Sequence, residues 1–230
     1  MTERQHGGTA TVTGRTASAA LPPVLRLWLG SVAVIAALVV AGIGFAFAGE
    51  SESGALDSWL VDPTADSIGP PWRAFALAVD FLGEPVGAVV LVAAVAAGCL
   101  LLRSPRAAVL VVASAVVAVG VAKLLKYVVG RTIHGPENLS YPSGHTTFLT
   151  ALALALALFA VGRFGLGRAA GLLLVLGAAL VAGGVMGWAE AALSAHYPTD
   201  AVGGWCTALA VVPATAWVVD KVADAGGTRG

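Results

Sequence analysis

Six stretches of the chain are almost wholly apolar, and short polar segments separate them. They cover about residues 25–48, 85–102, 107–125, 146–160, 169–193 and 201–219. A helix needs roughly 20 apolar residues to cross a bilayer, so each run predicts one span, some slightly short. Ala and Leu alternate through residues 151–158, which is the period of a strand. Both residue types are apolar and strong helix formers, so the alternation defines no polar face. A lone strand in lipid would also leave its backbone unpaired, and helix is predicted there too. Gly171, Gly177, Gly183 and Gly184 fall in the fifth run, where small residues let helices approach closely.

The segments between the runs complete the outline. Residues 1–24 are rich in Thr, Ala, Gly and Ser without an apolar period and predict a mobile tail. Residues 45–49 look like a signal-peptidase site, but the run before them is longer than the ~7–15 residues of a signal core. An uncleaved anchor is the expectation. Residues 49–72 carry Glu50, Glu52, Asp57, Asp62 and Asp66 with Pro63, Pro70 and Pro71, and read as a loop. Residues 72–82 set Trp72 and Phe75 beside Arg73 and Asp80, as an interfacial segment would. The expected fold is therefore all-α: one six-helix transmembrane bundle over residues 25–219, with polar tails at 1–24 and 220–230.

Composition agrees. The 230 residues are 58% hydrophobic and 11% charged, against roughly 25% charged in soluble domains. Such a chain cannot cover itself with a water-facing surface. Its formal net charge is zero, and no basic patch points to nucleic acid. Cys99 and Cys206 both lie in apolar runs, so neither a disulfide framework nor a zinc spacing is present.

Basic residues set the expected orientation. Arg4, Arg15 and Arg26 precede the first span, Arg103 and Arg106 join the second to the third, Arg163 and Arg168 join the fourth to the fifth, and Lys221 and Arg229 follow the sixth. All fall on one side, which the positive-inside rule makes cytoplasmic. Both termini are then cytoplasmic, and the loops 49–72, 126–142 and 194–200 face outside. Lys126 and Arg131 break the charge rule on that outer side, so they serve something other than topology. Lys123, one turn deeper, is costly in lipid unless it is paired or faces the bundle interior.

The informative polar residues gather on these outer loops. One loop holds Lys126, Arg131, His134 and the run Tyr141-Pro-Ser-Gly-His-Thr146; the other holds Glu190 at its edge, then Ser194, His196, Tyr197, Pro198, Thr199 and Asp200. Pro198 suits the first turn of a helix, which sets His196 and Asp200 together at its entry. A carboxylate on one imidazole nitrogen fixes the tautomer and frees the other as nucleophile or base; the plainer reading is a capping Asp and an interfacial His. The Pro142-Ser-Gly-His145 turn opens a helix whose exposed N–H groups and dipole form an anion pocket. Ser143 can add a donor, and His145 can protonate a leaving oxygen. The plainer reading is a Ser N-cap beside a chance histidine, with Lys126 a snorkelling interface lysine.

Together, a Lys at a helix end, then Pro-Ser-Gly-His, then a His, three residues and an Asp, resemble the type 2 phosphatidic acid phosphatase family over about residues 75–219. The resemblance implies a metal-independent phosphatase without cofactor. It acts on a membrane lipid bearing a phosphate or diphosphate, such as a polyprenyl diphosphate, phosphatidic acid or phosphatidylglycerophosphate. It implies His196 as the nucleophile that forms a phosphohistidine, Asp200 as its orienter and His145 as general acid. Ser143, Gly144 and Lys126 would hold the phosphoryl oxygens.

Two family positions differ. The Arg-Pro expected seven residues after Lys126 is Ile133-His134, and the Arg expected six residues before His196 is Glu190. Arginine grips phosphate as a bidentate, permanently charged fork, so both grips are missing. Arg131, two residues before Ile133, is the expected substitute for one of them. Two alternatives follow from these departures: a non-catalytic relative that binds lipid or scaffolds other proteins, or a metal recruited by Glu190 with His145, His196 or His134. No internal repeat or midplane charge suggests a transporter.

Overall fold

The computed structural model describes residues 19–59 and 68–227. Most of the expected N-terminal tail, and Asp62, Pro63 and Asp66 of the acidic loop, lie outside those residues. A short 3-10 turn, Pro23–Leu25, leads into α1 (Arg26–Ala46). There follow α2 (Pro70–Phe81), α3 (Pro85–Leu101), α4 (Pro105–Val129), α5 (Gly144–Phe164), α6 (Arg168–Ala192) and α7 (Pro198–Gly227). Prolines open α2, α3, α4 and α7, where the first turn has no use for their missing N–H. Gly130 and Gly165 close α4 and α5 in the left-handed conformation, which glycine adopts without steric cost.

Among the described residues, five helices are long and apolar enough to cross a membrane, and α2 with α3 makes a sixth candidate bent by 67°. The all-α membrane bundle is as the sequence predicts. The segment expected at the interface before the second span is α2, and it turns sharply into α3 across Leu82, Gly83 and Glu84. Its Ala76 and Val79 pack on Met186, Ala189 and Ala192 of α6. Its Trp72 and Phe75 rings lie 6.2 and 5.9 Å from the Trp188 ring.

The centre of the bundle is α5, packed by α4, α6 and α7, while α1 lies outside against α7. The Ala/Leu segment is buried nearly all round, as a central helix is: Ala151, Leu152, Leu154, Ala155, Ala157 and Leu158 are buried, and Leu156 is exposed.

The end formed by the α1 start and the α7 finish is tied by Asp220. Its buried carboxylate accepts from the N–H of Ala20 (2.7 Å) and of Leu21 (3.0 Å). Arg26 and Arg106 each approach it to 3.8 Å. Arg106 also bonds Asp224 at 2.8 Å. The polar tail expected after Val219 is therefore helix as far as Gly227, because these cations and amides satisfy its first carboxylate.

Candidate active site

At the other end of the bundle, three loops close over α5. The loop 130–143 folds back on itself: Ile133 N–H donates to Asn138 O (3.0 Å) and Ser140 N–H to Arg131 O (2.8 Å). Its Tyr141 hydroxyl, buried and donating to Val40 O at 2.8 Å, pins it to α1. Burial pushes that hydroxyl well above the usual tyrosine range. His134 Nε2 lies 2.7 Å from Ser194 O and joins this loop to the one before α7.

Arg131 is the hub. Its guanidinium is fully buried, donating to Asp57 Oδ2 (2.7 Å) and Asp200 Oδ1 (2.8 Å). It also donates to Thr199 Oγ1 at 2.7 Å. The Phe47 and Tyr197 rings lie against it, at 4.1 and 4.3 Å from centroid to Cζ. Asp57 further accepts from Thr199 N–H (2.9 Å) and Thr199 Oγ1 (2.9 Å). With one Asp200 oxygen held this way, the other accepts from Tyr197 N–H at 3.2 Å and faces His196 Nδ1 at 3.4 Å. His196 and Asp200 thus sit one helical turn apart at the α7 entry, with the imidazole turned by a carboxylate that is itself fixed.

His196 Nε2 points the other way, to within 3.8 Å of Glu190 Oε1. The same oxygen lies 4.0 Å from His145 Nδ1. Two imidazoles from separate loops therefore meet around one buried carboxylate. Glu190 is held by hydroxyls: Ser143 Oγ lies 2.6 and 2.7 Å from its two oxygens, and Thr146 Oγ1 donates to Oε2 at 2.6 Å. Ser143 also caps α5, accepting from Thr146 N–H at 3.1 Å. The capping reading of Ser143 holds, and its one proton goes to Glu190 instead of standing free for an anion. Gly144 and His145, first in α5, make no backbone hydrogen bond through N–H among the described residues, as an anion pocket requires.

His145 has a second neighbourhood that the sequence analysis missed. Its Nε2 faces Glu84 Oε1 at 3.7 Å and Asp80 Oδ1 at 3.9 Å. Those carboxylates stand on either side of the α2–α3 bend. The bend presses on the ring: a Cβ at Gly83 would fall 2.0 Å from His145 Cδ2. Asp80, Glu84 and His145 offer one ligand atom each within 4.8 Å of one another, and Nε2 is buried without a hydrogen-bond partner. Among the described residues this trio, and not Glu190 with the histidines, brings three ligand atoms that close together.

Two expected phosphate contacts are placed differently. Arg131 is enclosed by two aspartates and two rings, and it steadies Asp200 instead of facing the histidine pair. Lys126 Nζ donates to Leu139 O (2.6 Å) and Ser140 O (3.2 Å), bracing the loop ahead of Pro142. Ile133 is buried. Asp57 is the other residue the sequence analysis passed over, one acid among several in a loop. The one clue to it was Arg131, a cation on the wrong side for topology.

Comparison with known proteins gives the family. The model of the PAP2 superfamily matches residues 106–224, and the chain belongs to that family of membrane phosphatases. Comparison with the curated proteins finds no match. Among solved structures, the chain is similar to a transmembrane PAP2-type phosphatidylglycerolphosphate phosphatase from Bacillus subtilis. The identity is 17% and the TM-score 0.57, covering 84% of this chain and 94% of that one. At that identity the likeness is one of fold.

Proposed function

We propose that this protein hydrolyses a phosphate or diphosphate carried by a membrane lipid, at the outer face, through a phosphohistidine. His196 Nε2 attacks phosphorus, its tautomer set by Asp200 on Nδ1. The phosphorus–oxygen bond to the lipid breaks as the nitrogen–phosphorus bond forms. His145 gives its proton to the departing oxygen. Water then attacks the phosphohistidine while His145 takes one of its protons, which returns His196 and releases phosphate. The N–H groups of Gly144 and His145 at the head of α5 receive phosphoryl oxygens, as donors aimed at developing charge do. The observation that carries this reading is the fixed chain Asp57–Arg131–Asp200–His196, with His145 across the same Glu190 oxygen. The outer placement is supported by Arg26 and Arg106 gathering at the opposite end, the end that stays cytoplasmic by the charge rule.

Glu190 decides how strong the activity is. A unit charge pair near 4 Å at an effective dielectric of 20 is worth about 4 kcal/mol, here against a phosphate. The test is phosphate release from phosphatidic acid, phosphatidylglycerophosphate and a polyprenyl diphosphate by wild type, His196→Ala and Glu190→Gln. Wild type is expected to exceed His196→Ala on at least one of them. Glu190→Gln keeps one acceptor oxygen, at the Oε2 place that Ser143 and Thr146 both reach, and should lower KM by about tenfold, the equivalent of 1.4 kcal/mol. Turnover no greater than that of His196→Ala on every lipid means a non-catalytic, lipid-binding relative.

The Asp80–Glu84–His145 trio favours a second reading, in which a divalent cation supplies the positive charge that Ile133 and Glu190 do not. Ligands around such an ion stand a little over 3 Å apart, and carboxylate with imidazole suits zinc or manganese. Here activity rises with added manganese or zinc and is lost in Asp80→Asn. An activity indifferent to chelator and to Asp80→Asn rules it out.

A further inference from the structure

We infer that His134 is a positioning residue for the nucleophile: its side chain holds the segment 194–200 at the end that Arg131 does not reach, so that His196 is set between two grips from one hairpin. The inference rests on the phosphohistidine reading above. Residues 131–140 form the hairpin. Ile133 N–H donates to Asn138 O, Ser140 N–H donates to Arg131 O, and Thr132 bridges Leu139. Thr132 N–H also donates to Glu50 O at 2.9 Å, which ties the hairpin to the loop that carries Asp57. At the base of the hairpin, Arg131 donates to Thr199 Oγ1 and Asp200 Oδ1, on the far side of His196. At its tip, His134 Nε2 lies 2.7 Å from Ser194 O, two residues before His196. A carbonyl only accepts, so this ring nitrogen carries the proton.

Both ends of that bond have unusual backbone. His134 has a φ of 58° and Ser194 one of 55°, in the left-handed region where a Cβ crowds the carbonyl. Ser194 ends α6: its N–H donates to Ala191 O, and the N–H of Ala195 reaches back to Glu190 O at 2.8 Å. Glycine is usual at that place in such a turn, and serine holds it here. His134 stands where the resembled family motif has proline. A proline has φ of about −65° and no side-chain donor, so it could supply neither this conformation nor this bond. Asp200 turns the His196 ring through Nδ1, but the backbone that carries the ring is fixed by Ser194 before it and by Thr199 and Asp200 after it. A ring displaced by about 1 Å no longer lines up with phosphorus, and misplacement of that size costs up to about a hundredfold in rate.

The experiment compares wild type, His134→Ala and His134→Gln as full-length protein in detergent, on the three lipids of the assay above. His134 is exposed, so neither variant opens the core. Phosphate release gives kcat and KM, and hydrogen–deuterium exchange over 194–200 reads the backbone without turnover. His134→Ala is expected to lose about tenfold in kcat, to keep KM within about twofold of wild type, and to exchange faster over 194–200. His134→Gln sets an amide N–H at the place of ring Nε2 and is expected to restore both. A kcat of His134→Ala within about twofold of wild type, a change confined to KM, or a loss that His134→Gln shares in full overturns the inference. If wild type releases no more phosphate than His196→Ala, the phosphatase reading fails and exchange decides alone. Faster exchange in His134→Ala than in wild type and His134→Gln then upholds the grip, and equal exchange in all three overturns it.

Discussion

Arg131 shows how a residue's task is decided by what surrounds it. Two buried aspartates share its charge, so removing the cation leaves both uncompensated, which costs about 3–5 kcal/mol for a buried pair. Arg131→Ala is expected to lower the thermal midpoint sharply in a detergent melt. Asp57→Asn, which keeps an acceptor near Thr199 and Arg131, is expected to lower it less. The sequence marks Arg131 as out of place for topology, and it marks His145, His196 and Asp200 by their spacing. It does not mark Asp57, because a carboxylate in an acidic loop looks the same whether it meets water or a guanidinium 74 positions away. Tyr197 was legible only as a neighbour of His196. Burial raises its hydroxyl above the ordinary range, so the ring that covers Arg131 stays neutral where the enzyme would work.

Among the elements, the α2–α3 bend is the one whose shape bears on the chemistry. Gly83 lets the bend touch the His145 ring, and a methyl group there would overlap it. Gly83→Ala is expected to cut kcat by tenfold or more, the equivalent of 1.4 kcal/mol, while the circular dichroism of the helices is unchanged. A variant with wild-type kcat would show that the ring does not need that place. Runs of apolar residues made the six long segments legible, since helix length follows directly from bilayer thickness. The bend was not legible. Pro85 and Gly83 announce a break there, but the 67° angle depends on how Ala76 and Val79 settle on α6, a contact between residues about 110 apart in the chain.

For the whole molecule, the two ends of the bundle are built for different purposes. One end holds the histidine pair of the candidate site, and the far end holds Asp220 with two backbone N–H groups and two arginines. Twenty helical residues separate Asp200 from Asp220, roughly 30 Å along α7. Asp220→Ala leaves those amides without their acceptor, at about 1–3 kcal/mol for buried groups. It is expected to lower the thermal midpoint and leave kcat per folded molecule unchanged. A fall in kcat of the same size as that in Gly83→Ala would mean that the two ends are coupled.

The clamp on Arg131 draws on residues that the ribosome makes far apart in time. Asp57 leaves early, Arg131 midway, and Thr199 with Asp200 only as the last helix is made. Until then Arg131 has one of its two aspartates, and His196 has none. On the phosphohistidine reading proposed above, a nascent chain halted before its final helix would carry Ser143 and His145 without the Asp200 that turns His196, so activity would wait until synthesis is nearly complete.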